Sequence, residues 1–179
     1  TSDNGAPQRR PVQGSNRPLR GWGYTTWEGG MRVPCIVRWP GQIPAGAKCD
    51  EIVSTMDLLP TFARLAGAAL PQDRILDGRD VWPLWSEQPD ARSPHEAFYY
   101  YYTDQLQAVR SGRWKLHLPL EAKRTGLAGG TAAAQAELYD LDADIGETNN
   151  VVARHADVVQ RLTALAEAAR EDLGDGPTP

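Results

Sequence analysis

Asp3 and Asn4 stand side by side in the opening S-D-N-G, where a carboxylate and an amide carbonyl offer adjacent hard oxygen ligands. Such donors suit Ca2+ or Mg2+, but this pair falls well short of a full shell of roughly six to eight oxygens. The same two residues also suit an Asx-turn that closes a strand. The second stretch with chemical potential is P-L-R-G-W-G-Y-T-T-W-E-G-G-M-R-V-P, residues 18–34. Gly21, Gly23, Gly29 and Gly30 interrupt helix and strand alike, so it reads as a shaped loop able to approach a ligand closely, or as a packed surface turn. Glu28 and Arg32, four apart, are expected to brace that loop as an ion pair. His117 lies in R-W-K-L-H-L beside Lys115; alternation puts both on one strand face, read as a solvent-facing rim. His95 and His155 stand at the starts of elements and read as local.

These residues need elements to hold them. S-D-N-G reads as the carboxyl edge of a strand, the edge at which open α/β sheets keep their binding sites. Residues 8–18 form a polar loop without periodicity. Pro34 to Trp39 is a short apolar run closed by Pro40-Gly41 and predicts a strand and turn. Ile52 to Gly67 predicts a helix, with Ser54 and Asp57 as a capping box, Pro60 early in the helix and Gly67 as a left-handed cap. Its Met56, Leu59, Phe62, Ala63 and Ala66 share a face expected to be core. Leu70 to Arg92 is a proline-rich connector, and a boundary is expected near Arg92.

Beyond that boundary the pattern changes. Ala97 to Tyr102 and Leu106 to Arg110 are strand-prone, and Arg113 to Leu118 follows the Ser111-Gly112 turn as the second arm of a hairpin. The aromatics of 98–102 are read as packing the sheet, with pocket lining the lesser alternative. Ala128 to Ala136 reads as a mobile insertion, and Glu137 to Leu141 as one more strand. Asp157 to Leu173 carries Val158, Leu162, Leu165, Ala166, Ala169 and Leu173 at helical spacing, a helix that needs a sheet to cover. The tail D-G-P-T-P should fray. The expected class is α/β, with residues 1–92 belonging to an α/β domain and 93–179 forming a small antiparallel sheet packed by a terminal helix.

With 41% hydrophobic and 23% charged residues the composition is globular, and a net charge of -4 leaves no basic field for nucleic acid. No window approaches the roughly 18 apolar residues of a membrane span. The N-terminus lacks the charged and apolar regions of a signal peptide. Cys35 and Cys49 are too few for a disulfide framework. Cys35, within V-P-C-I-V-R-W, is read as a buried inert thiol, and a bridge to Cys49 stays open.

Taken in order, S-D-N-G, L-R-G-x-x-x-T-T-W-E-G-G-M-R-V-P, R-W-P-G-x-I-x-A-G, T-M-D-L-L-P-T, D-G-R-D-V-W-P-L and E-L-Y-D-L-D-A-D-I-G-E-T-N-N-V closely resemble the C-terminal half of the formylglycine-dependent sulfatases. The resemblance spans nearly the whole chain and is weakest over residues 8–16 and 121–135. It implies the C-terminal part of an alkaline-phosphatase-like fold and sulfate-ester hydrolysis. In that chemistry a hydrated formylglycine attacks sulfur and a calcium ion neutralises the sulfate oxygens. Asp3 and Asn4 match the family's late Asp-Asn metal pair. The formylglycine arises from Cys or Ser in C/S-x-P-x-R, and no cysteine or serine of this chain has that context. The resemblance further implies a sulfated small molecule or carbohydrate as partner, and export to the periplasm or outside the cell.

One departure is sharp. The family's usual run is L-R-G-G-K-G-T-T-W-E-G-G, and residue-by-residue matching puts its sulfate-binding lysine at Gly23. Trp22, Tyr24 and Arg20 therefore become the candidates for substrate binding, although the family's arginine at position 20 looks structural and stays charged, a poor proton donor. No catalytic residue is assigned. The alternatives are a pseudo-sulfatase or binding module without catalysis, and a phosphoester or phosphonate hydrolase of the same superfamily. A chain supplying only part of such a fold should also expose apolar surface.

Overall fold

The computed structural model describes residues 1–9, 13–125 and 130–175. Contacts group the chain into two units, Thr1–Cys35 with Ala97–Pro179, and Ile36–Glu96. The glycine loop falls in the first unit because it packs on the C-terminal sheet.

In the first unit, strands β1 (Phe98–Tyr102), β2 (Gln105–Ser111), β3 (Trp114–His117) and β6 (Glu137–Asp140) form an antiparallel sheet in the order β1-β2-β3-β6. Gly112, at φ 56°, makes the turn between β2 and β3 at the expected place. Strands β4 (Leu120–Thr125) and β5 (Gly130–Ala134) pair separately. Of the segment read as a mobile insertion, Gly130–Ala134 is thus a strand, and residues 128 and 129 lie outside the described residues. The fraying tail falls largely on residues 176–179, outside the described residues.

The pleat gives the sheet two different faces. Leu106, Val109, Leu116 and Leu138 bury against Leu162, Ala166 and Ala169 of helix α4 (Ala156–Leu173). Each such leucine stabilises the unit by about 1.5–3 kcal/mol. Pairing steps from Tyr100↔Ala108 to Tyr101↔Leu106, leaving Gln107 as the extra residue of a β-bulge. That bulge lets Leu106 join the α4 face while Gln107 contacts the glycine loop. The loop contains the one-turn helix α1 (Glu28–Met31).

In the second unit the capping box forms as read. Asp57 Oδ2 accepts from Ser54 N–H at 2.7 Å, and the Ser54 hydroxyl accepts from Met56 N–H at 3.3 Å. A 3-10 turn, Thr55–Asp57, leads into α2 (Leu58–Leu65), and Gly67 has φ 67°. The buried residues are Asp57, Pro60 and Thr61, not the apolar stripe: Met56, Leu59 and Phe62 are exposed, Leu59 by 56%. Asp57 accepts from Arg79 N–H and pairs with His95 Nε2, each at 2.8 Å, and Thr61 Oγ1 accepts from Val81 N–H. Polar anchoring of the 79–81 segment therefore selects the buried side. The connector also contains α3 (Trp82–Trp85).

The strand expected at Pro34 to Trp39 is absent. That segment has no ladder partner among the described residues, and Ile36 is 88% exposed. The turn after it does form, with Gly41 at φ 81°. Cys35 and Cys49 are exposed and free, so Cys35 is not the buried thiol expected and the two are not bridged. Among the described residues no helix is long and apolar enough to cross a membrane.

Candidate functional site

The S-D-N-G corner and the glycine loop are laced together by backbone. Gly5 N–H donates to the Gly30 carbonyl at 3.0 Å, and Gly23 N–H to the Ala6 carbonyl at 2.9 Å. Asn16 completes the lacing: its Oδ1 accepts from Ala6 N–H, and its Nδ2 donates to the carbonyls of Ala6 and Gly21. The approach at Gly23 leaves no space for a side chain. A Cβ there would overlap the Gly5 carbonyl oxygen and lie 2.9 Å from Asn4 Nδ2.

Asn4 and Gly23, matched to the metal pair and the lysine, are therefore neighbours. Asn4 Nδ2 donates to the Gly5 carbonyl at 2.7 Å, which orients the amide and leaves Oδ1 as the oxygen donor. Asp3 is exposed, and its Oδ1 accepts from Asn4 N–H at 2.9 Å. Two hard oxygens at one corner fit a divalent cation that takes further ligands elsewhere. Among the described residues no group of three or more His, Cys, Asp and Glu side chains could hold a metal.

The three substrate candidates divide. Tyr24 is 56% exposed and takes φ 68°, a left-handed conformation uncommon for a tyrosine, and Trp22 is half-buried. The Arg20 guanidinium is engaged within the unit. It donates to the Glu147 carbonyl at 2.7 Å and the Tyr139 hydroxyl at 3.2 Å, and it lies 3.6 Å from the centre of the Trp27 ring.

Beneath the loop lies a charge network that sequence reasoning missed. Glu28, Lys115 and Glu147 are each 0% exposed. Glu28 Oε1 accepts from Tyr100 OH at 2.7 Å and Lys115 Nζ at 3.0 Å, and Oε2 pairs with Arg110 at 3.2 Å. Glu147 Oε1 meets Lys115 Nζ at 2.9 Å and His117 Nε2 at 3.0 Å, while Oε2 accepts the Glu28 N–H at 2.8 Å. Lys115 and His117 do share a face, but it is buried and not a rim, because the loop covers it. Glu28 is braced by Lys115, Arg110 and Tyr100 in place of the expected Arg32 partnership. Glu147 belongs to D-I-G-E-T-N-N. There Asp144 accepts from Thr148 and Asn149 N–H groups, forming the turn that delivers the carboxylate.

Burial raises the Glu28 carboxyl, yet Lys115, Tyr100 and Arg110 outweigh it and hold it below its ordinary value of 4.5. Glu147 is likewise raised by burial and lowered on balance by His117, Lys115 and the Glu28 N–H. Desolvation and then Glu28 push the Tyr100 hydroxyl well above 10.0, so it stays a donor. Carboxyls lowered in the folded state contribute stability above their unfolded value, and that stability is lost as pH falls through the folded one. The unfolding free energy from these groups should therefore hold from neutral pH to about 4.5 and decline below it. Urea unfolding followed by tryptophan fluorescence at several acid pH values checks this; a profile still level well below 4.5 would contradict it.

A family profile, N-sulphoglucosamine sulphohydrolase, C-terminal, matches residues 24–172. Steryl-sulfatase of Mus musculus is 39% identical over 206 residues, covering 99% of this chain and 33% of that protein. N-acetylgalactosamine-6-sulfatase of Canis lupus familiaris is 36% identical, covering 98% of this chain and 38% of the relative. The chain thus spans about a third of the length of these relatives. Among solved structures, Ps i-CgsB has 28% identity and a TM-score of 0.71, covering 93% of this chain and 34% of its own. PsFucS1 sulfatase from Pseudoalteromonas sp., at 24% identity and a TM-score of 0.77 over 93% of this chain and 35% of its own, shares the fold.

Proposed function

We propose, because this chain belongs to the sulfatase family and corresponds to its C-terminal region, that it supplies one wall of the active site of a sulfuric ester hydrolase. In this reading residues 1–92 complete the α/β catalytic domain and 93–179 form the C-terminal subdomain that supports the glycine loop. Asp3 and Asn4 would hold Ca2+ together with acidic residues outside this chain. When bound, the ion supplies positive charge to the sulfate oxygens. The formylglycine nucleophile also lies outside these 179 residues, so the chain alone should not hydrolyse sulfate esters.

The chain's own residues orient and enclose. Asn4 presents an oriented carbonyl oxygen beside Asp3. Trp22 and Tyr24 offer aromatic surface to the organic part of a sulfated small molecule or carbohydrate, and Arg20 borders the pocket while anchoring the loop. The observation that carries the reading is the direct contact of Gly23 with the Asp3–Asn4 corner, which joins two motifs of the family at one place. The packed glycine at 23 also favours a second reading, a non-catalytic pseudo-sulfatase, since the family's cation has no room there.

The test is to express the open reading frame that contains this chain and assay a chromogenic aryl sulfate. Hydrolysis should be abolished by a Ca2+ chelator and lowered by roughly 100-fold or more in Asp3→Ala, as for loss of a metal's charge stabilisation. Full activity in Asp3→Ala would overturn the metal assignment. No activity in the parent would favour the pseudo-sulfatase.

A further inference from the structure

We infer that Glu28, Lys115 and Glu147 are positioning residues: their buried ion network fixes the glycine loop against the Asp3–Asn4 corner. The inference rests on the proposed reading of that corner as part of a pocket, and adds the device that holds it in place. Three fully buried charges are a poor choice if stability is all they provide, since apolar replacement of a whole buried ion cluster is often neutral or better. What the network provides is a defined position. Each Glu28 contact runs from the loop to a different place on the sheet: Tyr100 on β1, Arg110 on β2 and Lys115 on β3. Glu147 grips the loop twice, through its carboxylate to the Glu28 N–H and through its carbonyl to Arg20. It does so at φ 50°, a left-handed backbone disfavoured for glutamate.

The residues between these grips are held in turn. Thr26 Oγ1 donates to Gln107 Oε1 at 2.9 Å, which uses the bulged residue of β2. The Trp27 ring packs on both the Arg20 guanidinium and the His117 ring, whose centroid is 4.1 Å away. Residues 20 and 26–28 are thereby pinned, and the short arc from Gly21 to Thr25, which carries Trp22, Gly23 and Tyr24, has little freedom left. Its own closure is the Gly29 N–H to Arg20 carbonyl bond at 2.7 Å.

Amide hydrogen exchange on the 179-residue chain tests this. Lys115→Met removes the cation that Glu28 and Glu147 share, leaving Glu28 with Arg110 and Glu147 with its His117 contact, and is the variant most prone to unfold. The decisive variant is therefore Glu28→Gln/Lys115→Met/Glu147→Gln, which removes the three fully buried charges together at nearly constant shape and leaves Arg110, whose side chain reaches solvent, as the remaining cation. The expected result is exchange at least ~10-fold faster at Gly5, Gly23 and Gly29, with Leu118 and helix α4 unchanged within about 2-fold, the pattern of a local opening. Equal acceleration everywhere would mean a merely structural network, and no acceleration in the loop would mean no positioning; either overturns the inference. The measurement needs neither Ca2+ nor sulfate. A loosened loop with undiminished aryl-sulfate hydrolysis in the open reading frame would therefore overturn the pocket reading and leave the network standing.

Discussion

Replacing Glu28 with alanine should lower the unfolding free energy of the unit that contains it by about 3–5 kcal/mol, the range for breaking a buried ion pair from one side. The change strips acceptors from three donors at once: Tyr100 OH, Lys115 Nζ and Arg110. Lys115 would keep Glu147, but Arg110 and Tyr100 would face the cavity left by the side chain. Glu28→Gln should cost less, because a carbonyl oxygen still accepts one of these bonds. Urea unfolding followed by far-UV circular dichroism and tryptophan fluorescence reads both variants. A loss below about 1 kcal/mol for the alanine variant, the size of an exposed pair, would mean that water reaches the cluster and that the burial argument fails.

Why this cluster escaped the sequence is a matter of distance along the chain and of a misleading prior. Glu28 lies 87 residues from Lys115 and 119 from Glu147. Periodicity is local and cannot join them. Lysine is almost never fully buried unless paired, so a strand face carrying Lys115 and His117 reads as solvent-exposed until the partner carboxylates are known. A usable signal did exist: the opposite face of that strand carries the apolar Leu116, and a small sheet with a glycine-rich, aromatic loop elsewhere in the chain invites burial of both faces. The hairpin from Phe98 to His117 and the helix Ala156–Leu173 were legible because turn glycine, alternation and 3.6-residue spacing act over a few residues. The apolar stripe of α2 was read correctly as a stripe and wrongly as core here, since a stripe shows that something apolar is to be covered and not what covers it. Pro34 to Trp39 failed for a related reason: strand propensity becomes a strand only beside a partner with free backbone groups. In the candidate site, Asp3, Asn4 and the loop were visible as words in a row, whereas their contact through Gly5 and Gly23 belongs to the folded backbone alone.

Introducing lysine at position 23 should fail to create a sulfate site. The obstacle is Cβ, before the charge is considered, because that atom would overlap the Gly5 carbonyl oxygen and crowd Asn4 Nδ2. Gly5 cannot yield easily: its own N–H is bonded to the Gly30 carbonyl, and a Cβ added to Gly5 would itself collide with Gly29. Overpacking of this kind costs typically about 1–3 kcal/mol. Gly23→Ala and Gly23→Lys should therefore lose similar stability, since both carry the offending atom and the lysine stem extends beyond it. Denaturant unfolding of the two variants, with sulfate titration by calorimetry, separates this from the alternative that glycine is an incidental loss of a cation. If Gly23→Lys were as stable as the parent and bound sulfate more tightly, the loop would have room for the family's lysine after all. If both variants are destabilised alike with no gain in sulfate affinity, glycine at 23 is what the close packing of the loop on the Asp3–Asn4 corner requires. Any hydrolysis at this site must then draw its leaving-group proton from a residue other than 23.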